Sequence, residues 1–213
     1  MTQQVRAIRT RIALIRSAAT LFEERGYTRT RLADISSGAG VSVGALHFHF
    51  DSKAAMSGAV QQAARRRFLQ AIRATQRDQS DTLQQLINAS HAIAGLLRND
   101  VVVRAGLRVG HDETAPGSVD LREDWEAFVR HRLARAASQG VLRPPEAHHR
   151  LARCVVATSM GLEMLGRNDK SWLSPRTVTD IWELLLPALL TSDTTISPAG
   201  NGTSTQPSAP PTG

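Results

Sequence analysis

The sequence predicts an all-α fold, and three observations carry that expectation. Apolar residues recur three and four positions apart from the N-terminus to about residue 190, the period of one helix face. Ser, Thr or Asp stands just ahead of most of these stretches, and Gly or Pro interrupts them, as helix starts and stops require. No stretch alternates apolar and polar residues over a useful length, so strands have no signal. With 213 residues and 41% hydrophobic side chains, the chain is long enough to bury a substantial core.

The first helix carries Ile8, Ile12, Ile15, Ala19 and Phe22, and Gly26 ends it. Thr30 is positioned to cap a short helix with Leu32, Ala33 and Ile35. Gly38 to Gly40 turn the chain, and Ser42 caps a second short helix through Ala45, Leu46 and Phe48. Two short helices joined by a Gly-containing turn make a helix-turn-helix. Asp51 or Ser52 then caps a long segment from Lys53 to about Arg77, with a basic band at Arg65, Arg66 and Arg67. Asp81 starts a helix with Leu83, Leu86, Ile87, Ala94 and Leu97. An apolar piece runs from Val101 to Gly110, and residues 111–120 read as a loop. A further helix, from about Val119 to Gln139, carries Leu121, Trp125, Phe128 and Leu133. Pro144 and Pro145 break the chain, and the second can open the next helix, which carries Leu151, Val155, Thr158, Leu162 and Leu165. The last helix follows Ser174 and Pro175 with Val178, Ile181, Trp182, Leu185, Leu186 and Leu189; Pro187 predicts a kink in it. From Thr191 the Ser, Thr, Pro, Gly and Ala composition offers almost nothing to bury and predicts disorder.

Charge narrows the function. The net is +7; dividing after residue 79 leaves 13 basic and 5 acidic residues before the cut, net +8, and 13 and 14 after it, net −1. A basic first third suits a segment that meets a polyanion, nucleic acid ahead of an anionic membrane surface. A basic helix is as often only a solvated face, so charge alone leaves both readings open. The lone Cys154 excludes a disulfide framework and a multi-cysteine metal site. No apolar run approaches the roughly 18 residues of a membrane span, and MTQQVRAIRTR lacks the apolar core of a secretory signal. A soluble protein of the cytoplasm, with no membrane partner, is expected. His148 and His149 are adjacent and point about 100° apart on a helix, so they cannot share an ion. His111, Asp112 and Glu113 lie in a loop with no second cluster to join. No Walker loop, Rossmann fingerprint or nucleophile elbow occurs. No metal, cofactor or enzymatic activity is expected.

The block from Thr30 to Lys53, TRLADISSGAGVSVGALHFHFDSK, resembles the DNA-reading segment of the tetracycline-repressor (TetR) family. Asp34-Ile35, Ala39-Gly40-Val41-Ser42, Gly44, Leu46, Phe48, His49, Phe50 and Lys53 carry the likeness, with His47 where the family usually has Tyr. The first helix, ending in Phe22, Gly26 and Tyr27, is similar as well. The resemblance implies that the helix headed by Ser42 enters the major groove of operator DNA. It marks Arg29, Thr30, Arg31, Ser42, Val43, Gly44, Ala45, His47 and Lys53 as DNA-binding candidates. Of the groove-facing set, Ser42 and His47 can hydrogen-bond, Val43 and Ala45 can meet thymine methyl groups, and Gly44 admits close approach. His49, between Phe48 and Phe50, reads equally as a packed or an exposed imidazole. Lys53 opposes the macrodipole at the start of its own helix. A phosphate at that helix end would remove the conflict; a solvated surface lysine is the alternative.

Beyond that block the chain is similar to the γ-butyrolactone autoregulator receptors of the same family, in the stretches Val102 to Gly110 and Arg122 to Leu133. The resemblance implies a small-molecule pocket with Trp125 as a wall. Val103, Leu107 and Phe128 come from the same two stretches, and Thr158, with Ser159 as its alternative, from the next helix. The apolar stripe alone makes Trp125 core packing. The implied domains are 1–55, helix-turn-helix and DNA-binding; 56–190, helical, ligand-binding and dimerising; and 191–213, a disordered tail. The implied activity is ligand-responsive repression by a homodimer on a pseudo-palindromic operator, with release by a small amphiphile of butyrolactone or furan type. The last two helices would pair with their symmetry mates through Leu151, Val155, Leu162, Ile181, Trp182, Leu185 and Leu189. An efflux regulator sensing hydrophobic drugs and a non-induced architectural DNA-binding protein are the alternatives, and what releases the DNA separates them.

Overall fold

The computed structural model describes residues 2–76, 81–112, 114–115, 119–142, 148–190 and 196–200. Among these the chain is helical: α1 (Thr2–Arg29), α2 (Leu32–Gly38), α3 (Val43–His49), α4 (Lys53–Thr75), α5 (Thr82–Asn99), α6 (Val101–Gly110), α7 (Leu121–Ser138), α8 (His148–Gly166) and α9 (Pro175–Leu185). Two compact units result, Met1–Ala71 with Asn99–Trp125, and Ile72–Arg98 with Glu126–Gly213. The first unit runs past residue 55 into α4 and takes in α6, which meets α1 through Arg104 and Glu23, and the start of α7, where Asp124 meets Arg65 of α4.

In the first unit, Leu14, Ile15, Ala18, Ala19 and Phe22 of α1 are buried, whereas Ile8 and Ile12 are 54% and 56% exposed. Only the second half of the expected stripe therefore meets a core. Gly26 breaks the helical backbone at φ 81°, ψ 167°, a conformation that favours glycine. Thr30 is not the cap of α2, which begins one residue later with Arg31 in the cap position and no side-chain cap. The Thr30 hydroxyl donates instead to the Gly26 carbonyl at 2.8 Å and lies 3.3 Å from that of Leu21. It satisfies acceptors that α1 leaves open where Gly26 ends its regular turns.

Gly40, at φ 68°, makes the turn between α2 and α3. Gly38 serves a different purpose, since a Cβ there would fall 2.6 Å from Ser17 Oγ on α1. Ser52 caps α4 by accepting from the Ala55 N–H at 3.1 Å. Farther along α4 the basic band is largely committed within the unit. Arg65 makes two bonds to Asp124, 2.7 and 2.8 Å. Arg67 reaches Asp100, which also caps α6 through the Val102 and Val103 N–H groups. Gly106 brings α6 against α4 so closely that a Cβ would stand 2.3 Å from Ala64 Cβ. Glu23 of α1 pairs with Arg104 of α6 and accepts from Arg108 through its carbonyl.

In the second unit Leu83, Leu86, Ile87, Ile93, Ala94 and Leu97 of α5 are buried, as are Val129, Leu133 and Ala136 of α7, and Arg132 of α7 donates to Gln85 of α5 at 2.8 Å. Asp81 accepts from the Leu83 N–H at 2.8 Å, as a helix start should. Ser174 caps α9, with Pro175 in its first turn. Pro187 does not kink α9; the helix stops at Leu185, and Leu186–Ala188 form a 3₁₀ turn. The proline has no N–H to extend the ladder.

Two expectations need correction here. Leu151, Val155 and Trp182, assigned to a dimer contact, are 4%, 4% and 2% exposed and belong to this unit's own core. Among the described residues of this unit, the large apolar side chains left exposed are Met164, Leu165, Trp172 and Leu184, the last 80% exposed. The stretch after Thr191 is also not wholly without packing. Ser197 donates its N–H to Gln84 Oε1 at 3.0 Å, His91 Nε2 lies 3.1 Å from the Pro198 carbonyl, and Gly200 is buried. The double proline at 144 and 145 and most of that tail lie outside the described residues.

Candidate functional site

The short helix α3 has two faces with different tasks. Leu46 and Phe50 turn inward at 0% and 3% exposure. Arg11 of α1 stacks over the Phe50 ring, 4.4 Å from its centroid, and lies 3.4 Å from the His49 carbonyl. These contacts orient the helix. Ser42, Val43, Gly44, His47 and Phe48 face outward, and Phe48 is 82% exposed. Ser42 accepts from the Ala45 N–H at 3.1 Å, which leaves its hydroxyl hydrogen for an outside acceptor. Ala45 is half-buried and offers only part of its methyl.

Gly44 has no internal reason to be glycine. A Cβ there would find nothing nearer than Ser42 Oγ at 3.9 Å, and its φ is not positive. Glycine in a helix costs about 0.5–1 kcal/mol relative to alanine. A residue that weakens its own helix without easing any internal contact is accounted for by close approach from outside.

Arg29 and Arg31 are exposed at the end of α1 and the start of α2, and Arg29 Nε donates to the Arg25 carbonyl at 2.9 Å. Thr30 is removed from the outward set, being 2% exposed with its hydroxyl committed. Lys53 is neither a free surface lysine nor an isolated cation at a helix end. Its ammonium donates to the Thr28 carbonyl at 3.0 Å and sits 4.4 Å from the centre of the Tyr27 ring. Tyr27 in turn packs on Phe22, with ring centres 5.7 Å apart. Desolvation lowers the Lys53 pKa, with Asp112 opposing. The unfavourable dipole is thus met inside the protein, so it no longer requires a phosphate. Two ammonium hydrogens remain for other acceptors.

The expected ligand-side residues fall in both units. Val103, Leu107 and Trp125 are buried in the first, and Trp125 meets Phe68 edge-on at 6.4 Å. Phe128 and Thr158 are half-buried in the second, with the Arg132 guanidinium 5.2 Å from the Phe128 ring. Ser159, the alternative to Thr158, donates to the Val155 carbonyl at 2.8 Å. Within the second unit a cleft of about 570 Å³ is lined by Glu126, Arg130, His149 and Arg153 over Ala152 and Val156. None of the five candidates lines it.

Residues 14–60 match the family model for bacterial regulatory proteins of the tetR family. The full-length TylP protein of Streptomyces fradiae, a TetR regulator, is 30% identical, with TM-score 0.60, covering 85% of this chain and 87% of that one. The chain belongs to the TetR family. Its TetR relatives include the A-factor receptor protein of Streptomyces griseus, 28% identical over 89% of this chain and 67% of that protein. A crystallised γ-butyrolactone receptor, described as ArpA-like, superposes with TM-score 0.75 at 26% identity, covering 88% and 91% of the two chains. CprB from Streptomyces coelicolor, solved with its biological operator sequence, gives TM-score 0.74 at 27% identity over 88% and 92%. The TetR family is one of regulators rather than an enzyme class. Among the described residues no helix is long and apolar enough to cross a membrane.

Within the TetR frame, Phe48 is an outward residue that the sequence set beside Ala45 and Leu46 among the helix's apolar positions and gave no role at the surface. A phenylalanine between two histidines and ahead of Phe50 gives no local sign of its direction. Its direction follows only once Leu46 and Phe50 are seen to anchor the helix, which leaves the position four residues after Gly44 facing outward.

Proposed function

We propose that this chain is a ligand-responsive transcriptional repressor of the cytoplasm that binds a pseudo-palindromic operator as a homodimer. A small amphiphile of butyrolactone or furan type releases it. The observation that carries the DNA-binding part is Gly44 on the outward face of α3, a glycine whose Cβ position would meet only Ser42 Oγ, at 3.9 Å. It is flanked by Ser42, Val43, His47 and Phe48; Arg29 and Arg31 are exposed where α1 gives way to α2, and Lys53 opens α4. Such a surface lets the helix backbone sit deep in a major groove while the basic residues meet phosphates. The names of the A-factor receptor and the γ-butyrolactone receptor support the inducer class.

Dimerisation is assigned to Met164, Leu165, Trp172 and Leu184, apolar side chains that the protomer leaves outside. Two reading heads on one twofold axis match two inverted half-sites. Trp125, Phe128, Val103, Leu107 and Thr158 are proposed as ligand contacts on the strength of the resemblance. Release follows if the inducer binds the DNA-incompetent conformation more tightly than the competent one.

The test is to select binding sites for the full chain from a pool of random 30-base-pair duplexes. An inverted repeat bound by two chains, with affinity falling steeply as salt rises, is the expected result. Recovery of no preferred sequence would overturn the reading. Adding a γ-butyrolactone should then dissociate the complex. Release only by varied hydrophobic drugs would make the protein an efflux-type sensor, and release by nothing an architectural protein.

A further inference from the structure

Phe48 is 82% exposed and Val43 is 45% exposed, and both project from the outward side of α3. A phenylalanine ring so open to water forgoes the burial that would stabilise the chain. Two features argue against its being incidental. Leu46 and Phe50, two positions before and after it, are buried, so α3 cannot rotate to hide the ring without exposing both. The ring also has a neighbour, the His49 imidazole, which packs against it edge-on at 5.2 Å and 82°. The His49 carbonyl is 3.4 Å from Arg11.

Phe48 also lies one helical turn after Gly44, whose Cβ position would meet only Ser42 Oγ, at 3.9 Å. Around this apolar pair the hydrogen-bonding side chains on the outward face of α3 are Ser42 and His47. A reading surface with two polar groups and two apolar ones discriminates bases partly through apolar contact. In the major groove the thymine C5-methyl is the apolar feature that base pairs offer.

We propose that Phe48, seconded by Val43, reads thymine methyl groups in each half-site, with His49 positioning the Phe48 ring. The proposal rests on the DNA-binding reading above and goes beyond it by naming the base feature and the side chain that reads it. Operators of this chain then carry a thymine at a fixed place in both half-sites. Its methyl group, not its hydrogen-bonding edge, is what the protein requires there.

The experiment takes the duplex selected from the random pool and resynthesises it with deoxyuridine in place of thymidine, one position per half-site at a time. Uracil keeps every hydrogen-bonding group of thymine and lacks only the methyl. The full-length protein should bind about four-fold more weakly for each contacted methyl removed, and about fifteen-fold more weakly when both half-sites are changed. Phe48→Ala should bind the thymine duplex more weakly and lose the thymine–uracil difference at one particular position. Phe48→Leu, which keeps an apolar contact, should retain part of it. Equal binding of thymine and uracil duplexes by the wild-type protein would overturn the proposal. So would a Phe48→Ala protein that discriminates as well as wild type at every position. A chain that selects no sequence at all fails the DNA-binding reading itself, which is a separate outcome.

Discussion

Replacing Gly44 by alanine should make the protein more stable and a poorer binder of DNA. The new methyl meets nothing inside the chain nearer than Ser42 Oγ at 3.9 Å. The helix therefore gains about 0.5–1 kcal/mol of propensity with no steric penalty. For a chain of this size that raises the melting temperature by about 1–4 °C. On DNA the same methyl stands where α3 should come nearest the groove. Pushing the helix outward weakens the flanking contacts together, and at least a ten-fold loss of operator affinity is expected, about 1.4 kcal/mol. Gly106→Ala provides the opposite control. There the added Cβ would lie 2.3 Å from Ala64 Cβ, so the helices must separate at a cost of about 1–3 kcal/mol. Thermal melts and fluorescence anisotropy with a labelled operator duplex measure both quantities on each variant. A Gly44→Ala protein with wild-type operator affinity, or with lower stability, would refute the reasoning.

Other outcomes follow from the same contacts. Trp125→Ala removes a fully buried ring packed on Phe68 and should cost about 3–5 kcal/mol, seen as a melting point lower by about 6–20 °C; an unchanged melting point with inducer response lost would assign the ring to the ligand alone. Leu184→Glu puts a charge on the most exposed leucine of α9 and should shift sedimentation toward monomer while leaving the helical circular dichroism intact. Burial lowers the pKa of His91 below its ordinary 6.5, so the folded protein resists protonation that the unfolded chain accepts. Stability from this residue is complete above pH 6.5 and is lost as the pH falls below it; His91→Gln should flatten that part of the melting-point profile, and an unaltered slope would contradict the assignment.

Local signals explain why so much of the helix map was legible in advance. Ser42, Asp81 and Ser174 each stand before a helix and accept the N–H bonds expected of a cap. Gly26 and Gly40 sit where the backbone leaves the helical region. What failed was long-range or depended on direction. The basic band could not announce that Arg65 and Arg67 would find Asp124 and Asp100, 59 and 33 positions away. Thr30 looked like the cap of the helix after it and serves the helix before it, because a threonine between two helices carries no arrow. Apolar spacing identified the faces of α8 and α9 but could not divide core from outer surface. Hence Leu151, Val155 and Trp182 proved internal, and Met164 and Leu184 external. The packing of residues 196–200 rests largely on backbone atoms meeting Gln84 and His91, which composition cannot reveal. At the reading head, Ser42, Val43, Gly44 and His47 were all legible as outward positions, while Phe48 required the anchored helix to be seen.

Whether a small molecule controls this DNA-binding surface is tested most directly by one titration. The dissociation constant of the full-length chain for its selected operator is measured at physiological salt, with and without a saturating γ-butyrolactone. Coupling of the usual size predicts an affinity lower by about 5- to 150-fold when the lactone is bound. Tight, sequence-specific binding that is the same at every lactone concentration would contradict a receptor of this class.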